Sequence, residues 1–295
     1  MRIAYIILCH KNPNQINHLV NELITKNSDV FLHIDLKSNI KDEIIKNKNV
    51  HILPKEESFS IAWGSVNMIK ATLNLIKYAK KQDKNYDYIC LLSGQDFPIV
   101  SQQDITNRLR KDTSINYINI VDKNTKEYSR YKKLYELWYP KWITKNNLFI
   151  KIIKRIYMIL TGGFNYTFDF IKRKKPFNFD FEFGSQWWCL TSQCAYYILD
   201  YCDKHPEYIK YYENTIIPDE CFFQTIFMHS PFNNNYSDNL TFVNWKDNRR
   251  SPETLTIQDY GKIKEKSKTK CFARKFDEEI DKEIIKKIKN KAKGE

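Results

Sequence analysis

The sequence predicts an α/β protein whose central sheet opens as a nucleotide-binding half and carries helices on both faces. Three observations carry that expectation. Residues 3 to 9 are a continuous apolar run closed by His10-Lys11-Asn12-Pro13, the pattern of a parallel strand buried on both faces. Asn14 to Leu23 then sets Ile16, Leu19, Val20 and Leu23 at helical spacing, and Val30-Phe31-Leu32-His33-Ile34-Asp35 follows as a second strand ending in an acid. The chain is 295 residues long with only 7 Gly, which suits one large domain without linkers. Within it, residues 1–100 are the nucleotide-binding half-sheet, 101–180 a variable aromatic and basic insert, and 181–295 the catalytic and acceptor part.

The elements continue in order. Ile52-Leu53 is a short third strand, Trp63-Gly64-Ser65-Val66 leads into a helix bearing Met68, Ile69, Leu73 and Ile76, and Tyr88 to Leu92 is another buried strand. That strand stops at Ser93-Gly94-Gln95-Asp96-Phe97-Pro98, a turn at the carboxyl end of the sheet, where open α/β proteins bind ligands. A single carboxylate there makes a poor magnesium or manganese site, so no metal is expected. Leu148 to Leu160 is an apolar helix candidate studded with cations, fit either to pack on the domain or to lie in a membrane interface. Ala195 to Leu199 is helical in character, Leu240 to Trp245 a late strand, and the C-terminus a Lys/Glu-rich helix.

The chemistry centres on Ile216-Ile217-Pro218-Asp219-Glu220-Cys221. Pro218 reads as the first residue of a helix, which puts Asp219 and Glu220 in its first turn, near the positive end of the dipole. Plain capping accounts for the two acids equally well. What adds to them is Gly184-Ser185-Gln186-Trp187-Trp188 upstream, aromatics of the kind on which sugars stack. Both tryptophans have a core reading too, and on a strand adjacent side chains face opposite ways, so only one would meet a sugar.

The net charge of +13 suits a nucleic-acid binder, a protein on anionic lipid, or an enzyme for phosphorylated substrates. No zinc-finger spacing, RNA-binding signature or isolated basic arm is present, and the lysine runs read as solvated surface. The 7 cysteines include no CxxC pair, so neither a metal site nor a disulfide framework is expected and a reducing cytoplasm is the default. The apolar N-terminal run is too short to span a bilayer.

Taken in order, Tyr5-Ile-Ile-Leu-Cys-His-Lys, Phe31-Leu-His-Ile-Asp-Leu-Lys, Leu92-Ser-Gly-Gln-Asp-Phe-Pro, Gly184-Ser-Gln-Trp-Trp, Pro218-Asp-Glu and Phe272-Ala-Arg-Lys-Phe-Asp resemble the core-2 and I-branching β-1,6-N-acetylglucosaminyltransferases and the related peptide O-xylosyltransferases. The resemblance implies a GT-A-like, Rossmann-type fold and an inverting transferase with a UDP-sugar donor and no metal requirement. It places the general base on Glu220, the diphosphate on Lys275 and Arg250, and the uridine on Asp35. His10 and Asp96 are further candidates for the donor. His10 has a plain reading as a hydrogen-bonded turn histidine, as has His33, and Asp96 could instead close its own turn. Candidate substrate contacts are Trp187, Trp188, Asp219 and Trp245. The aromatic pair departs from the branching enzymes' pattern, which leaves the acceptor glycan open. The expected partners are a UDP-sugar and a glycan or lipid-linked acceptor, in a bacterial-type cytoplasmic enzyme with N-acetylglucosamine as first donor and xylose as the alternative. A carbohydrate-binding module without chemistry is the competing class. The C-terminal lysines leave room for peripheral contact with anionic membrane.

Overall fold

A computed structural model describes residues 1–141, 151–153, 155–156, 173–245 and 251–292. The expected half-sheet is present. Strand β1 (Ile3–Cys9) is buried along its whole length, helix α1 (Pro13–Leu23) buries Ile16, Leu19, Val20 and Leu23, and β2 (Ser28–Ile34) pairs parallel to β1. Next come β3 (Val50–Ile52), α2 (Asn67–Lys80) and β4 (Tyr88–Ser93), and β4 returns to the other side of β1. Alternation along β1 divides the interior. Ala4, Ile6 and Leu8 face α2, while Tyr5, Ile7 and Cys9 face α1.

The following elements are β5 (Asp96–Pro98), α3 (Gln102–Arg110), β6 (Asn116–Tyr117), α4 (Lys126–Glu136), β7 (Cys189–Thr191), α5 (Ser192–Lys204), α6 (Pro206–Tyr212) and α7 (Phe222–Met228). They are succeeded by β8 (Tyr236–Ser237), β9 (Thr241–Val243), α8 (Tyr260–Lys266), β10 (Phe272–Arg274) and α9 (Glu283–Ala292). The main sheet runs β3-β2-β1-β4-β7-β6-β8, with β7 antiparallel to β4, so it is mixed and flanked by helices. A second sheet, β5-β10-β9, sits at the carboxyl end of β4 and sets Arg274 directly opposite Asp96. The order of the parallel strands switches between β1 and β4, where β2 and β3 lie to one side of β1 and β4 to the other.

Two expectations need correction. Pro218 opens only a 3-10 turn, Pro218–Glu220, and the α-helix starts at Phe222, because Cys221 breaks the backbone at φ −132°. The expected late strand is present as β9, in the small sheet. Cys90 and Cys189 form a disulfide, since the antiparallel register of β4 and β7 brings their Cα atoms to 4.0 Å although 99 residues separate them. The basic stretch at 148–160 falls largely outside the described residues.

Candidate active site

Glu220 is placed by backbone contacts on both sides. Its carbonyl accepts from the Gly184 amide at 2.9 Å. A side chain at 184 is excluded, because a Cβ there would lie 1.8 Å from the Asn119 carbonyl oxygen. Ile217, one residue before the turn, adopts the left-handed conformation at φ 51°, and its amide donates to Gly64 at 3.0 Å while its carbonyl accepts from the Tyr135 hydroxyl. The half-buried carboxyl of Glu220 is pushed up to about 8, chiefly by burial and then by the charge of Asp219, while a hydrogen bond from Tyr131 pulls it back. A carboxyl held near neutrality is suited to exchange a proton with a sugar hydroxyl.

Asp219 is the more deeply buried of the two acids. It is 7% exposed, burial pushes it up to about 6 against the pull of Arg274, and its Oδ1 has no hydrogen-bond partner among the described residues. A buried acceptor left unpaired costs free energy unless a ligand supplies the donor.

Arg274 is the residue the sequence reading passed over, in the same Phe-Ala-Arg-Lys-Phe-Asp motif that drew attention to Lys275. Its guanidinium carbon lies 3.8 Å from the centre of the Trp187 ring, and its Nε is 3.5 Å from Asp96 Oδ1, an ion pair too long for a direct hydrogen bond. Burial lowers its pKa while Asp96 and Asp219 raise it. Lys275 follows, half-buried and without an ion pair to another described residue; burial, then Lys11 and Arg274, lower its pKa. His10 is exposed, and its pKa is lowered first by burial and then by Lys11, with Lys275 adding to the same effect. Lys11, Arg274 and Lys275 make a cationic edge beside a His10 whose neutral form is favoured. Lys11 is held by Asp277 at 2.6 Å.

The other sequence candidates are placed as follows. Asp35 is buried beyond β2, where Oδ1 accepts from the Lys37 amide at 2.9 Å and Oδ2 from the Ile61 amide at 3.0 Å, so it closes its own turn and anchors the 58–64 loop. Asp96 is corrected as a direct donor contact. It is fully buried, with Ser93 N at 2.8 Å and Ser93 Oγ at 2.9 Å on its two oxygens, so it closes its turn and reaches the cleft through Arg274. Trp188 is corrected too, being 2% exposed and packed 5.3 Å from Phe223 in the core. Trp187 is 8% exposed and carries the Arg274 guanidinium over its ring. Trp245 is 56% exposed just past β9. His33 Nε2 accepts from the Phe59 amide at 2.9 Å, its hydrogen-bonded reading. Arg250 lies outside the described residues. Among the described residues no group of three His, Cys, Asp or Glu side chains could hold a metal ion.

A parallel half-sheet with acids and cations at its carboxyl end offers a ligand site of the kind open α/β enzymes use. The family model for the Core-2/I-branching enzyme matches residues 3–267, and the chain belongs to that family. The match contains Asp35 and Glu220 and ends before Arg274. Xylosyltransferase 1 of Homo sapiens is 21% identical over 93% of this chain and 29% of its own length. The β-1,3-galactosyl-O-glycosyl-glycoprotein β-1,6-N-acetylglucosaminyltransferase 4 of Danio rerio is 28% identical over 46% of this chain and 32% of its own length. The chain thus spans about a third of the length of these curated relatives. Among solved structures, mouse xyloside xylosyltransferase 1 in its apo form aligns at a TM-score of 0.35 and 9% identity, covering 83% of this chain and 89% of that one.

Proposed function

We propose that the chain is an inverting glycosyltransferase that moves a sugar from a UDP-sugar to a hydroxyl of a glycan acceptor, in surface polysaccharide or lipo-oligosaccharide synthesis, without a divalent metal. The observation that carries this reading is a half-buried Glu220 whose carboxyl is pushed up to about 8, directly after an Asp219 that feels the charge of Arg274, with Lys275 next to that arginine in the chain. The Glu220 carboxylate takes the acceptor hydroxyl proton, the hydroxyl oxygen attacks the anomeric carbon, and the bond to the diphosphate breaks with its electron pair leaving on UDP. Base catalysis of this kind is worth ~10² to 10⁴ in rate. Charge gathers on the departing diphosphate, where a preorganised donor contributes about 3 to 4 kcal/mol. Arg274 and Lys275 supply that charge stabilisation, with Arg250 as a third candidate, and Asp35 and the 58–64 loop bound the place for uridine. Asp219 Oδ1 accepts from a sugar hydroxyl.

N-acetylglucosamine is the first donor in this reading. Xylose is the second, favoured by the greater share of the chain that the xylosyltransferase covers, 93% against 46%. A binding module without chemistry has no use for a carboxyl perturbed as Glu220 is. Transfer and donor hydrolysis with UDP-N-acetylglucosamine and UDP-xylose, with EDTA present, test the proposal. Wild type is expected to be active with one of them and Glu220→Gln to lose about 10² or more in kcat. Full activity in the variant removes Glu220 from the role, and loss of wild-type activity in chelator removes the metal-free scheme.

The reading places the enzyme in the cytoplasm with a lipid-linked acceptor within reach. Among the described residues no helix is long and apolar enough to cross a membrane. Of the C-terminal lysines, Lys286 pairs with Glu283 at 2.7 Å, Lys289 with Glu22 at 3.5 Å, and Lys287 sits 4.6 Å over the Tyr260 ring. These partnerships favour a solvated face over a lipid-binding one, and failure of liposome flotation at low salt would agree.

A further inference from the structure

We propose that Asp96 and Trp187 are positioning residues whose task is to fix the Arg274 guanidinium, so that a nucleotide diphosphate meets a cation already set in place. This deepens the reading of the site as one for a UDP-sugar and rests on it. The two residues reach Arg274 from separate parts of the chain. Asp96 stands opposite it in the β5–β10 register, fully buried, its carboxylate locked by the amide and hydroxyl of Ser93. Trp187, from the segment before β7, sets its ring under the guanidinium carbon, 3.8 Å from the ring centre. Of the guanidinium nitrogens, Nε is turned inward, buried and 3.5 Å from Asp96. Neither terminal nitrogen donates to another described residue, and neither is buried, which leaves the fork of N–H groups open for an anion.

A simple structural ion pair would use up the charge it pairs. Here the pairing is on the inner edge and the stacking on one face, which removes rotamer freedom without covering the outer edge. Preorganisation of that sort lowers the entropy cost of binding the diphosphate. It also explains why an acid on the Ser93–Pro98 turn is useful while sealed from solvent.

The test is calorimetric titration of the full chain with UDP and, separately, with uridine, which lacks the diphosphate. Asp96→Asn is expected to weaken UDP about tenfold and to leave uridine unchanged. Trp187→Phe, which keeps an aromatic but a smaller one, is expected to weaken UDP about threefold with uridine again unchanged. Thermal melting checks that each variant is folded, and where Asp96→Asn is not, Trp187→Phe decides. Unchanged UDP affinity in a folded variant overturns the proposal, as does equal weakening of UDP and uridine. Wild type that binds neither ligand overturns the nucleotide-sugar reading itself, which is a different failure.

Discussion

The Ile217 amide donates to the Gly64 carbonyl at 3.0 Å, and both residues hold positive φ, 51° and 71°. A β-branched residue in that region is strained by about 1–3 kcal/mol, and the surrounding contacts must hold it there. The strain is spent one residue before Pro218-Asp219-Glu220, where it sets the direction in which the two acids leave the loop. A Cβ at 64 would come within 3.2 Å of the Ile217 nitrogen. Gly64→Ala is therefore expected to cost about 1–3 kcal/mol of stability and to lower kcat more than the loss of folded protein explains. Melting curves and transfer rates on the same preparation check this; wild-type values in both would show that the contact does not aim the acids.

Glu220 gives stability and activity opposite dependences on pH. Its folded-state value, about 8, lies above the 4.5 of an unfolded glutamate, so the folded form holds the proton more tightly. The resulting stability is fully present below about 4.5 and is lost as pH rises through about 8. Activity needs the carboxylate and rises as pH passes through about 8. Glu220→Gln should remove both trends, melting higher than wild type on the alkaline side of that value while failing to transfer. A variant that melts lower than wild type there would contradict the assignment of a destabilised carboxylate.

Tyr131, on α4, hydrogen-bonds to the Glu220 carboxyl and stacks 5.5 Å from Phe183. Phenylalanine keeps the stack and loses the bond. Since that bond favours the ionised form, Tyr131→Phe should move the rise of kcat/KM upward by about 1 pH unit, with most of the rate recovered at higher pH. A pH–rate profile superimposable on wild type would show that α4 only covers the cleft.

Some of this was written plainly in the chain. The β1-α1-β2 unit follows from an unbroken apolar run and a helical period, both local patterns. Glu220 stood out because Pro-Asp-Glu is short and distinctive, and the family model covers the segment that contains it. What failed to show was non-local. Arg274 gains its meaning from pairing across strands with Asp96 and from an indole far upstream, and no propensity or spacing reports either. The Cys90–Cys189 bond needed the antiparallel register of β7, which a three-residue strand scarcely announces. The helix expected at Pro218 shortened to a 3-10 turn because Ile217 and Cys221 hold it between two irregular backbone positions, a constraint imposed by Gly64 and the core rather than by helix propensity.

Asp29 offers the reverse experiment, on stability without chemistry. It lies near the start of β2, roughly 20 Å along the strand from Asp35. Its side chain is 0% exposed and is met by Lys84 at 2.5 Å, the Tyr86 hydroxyl at 3.0 Å, His51 at 3.3 Å and Arg2 at 3.6 Å. Burial pushes its carboxyl up, but the hydrogen bonds from Lys84, Tyr86 and His51 outweigh burial and hold it below the ordinary aspartate range. With the folded value depressed, its contribution is present above the unfolded value and disappears as pH falls through the folded one. Removing the acid strands the partners that converge on it, so Asp29→Ala should cost about 3–5 kcal/mol in a denaturant titration. The part of the acid-side loss of stability owed to Asp29 should vanish with it. Because the substitution is at the far end of the sheet, kcat/KM of the folded fraction should match wild type. A drop in kcat/KM at full folding would mean that the two ends of the sheet are mechanically coupled, and that the cleft depends on more than the loops that line it.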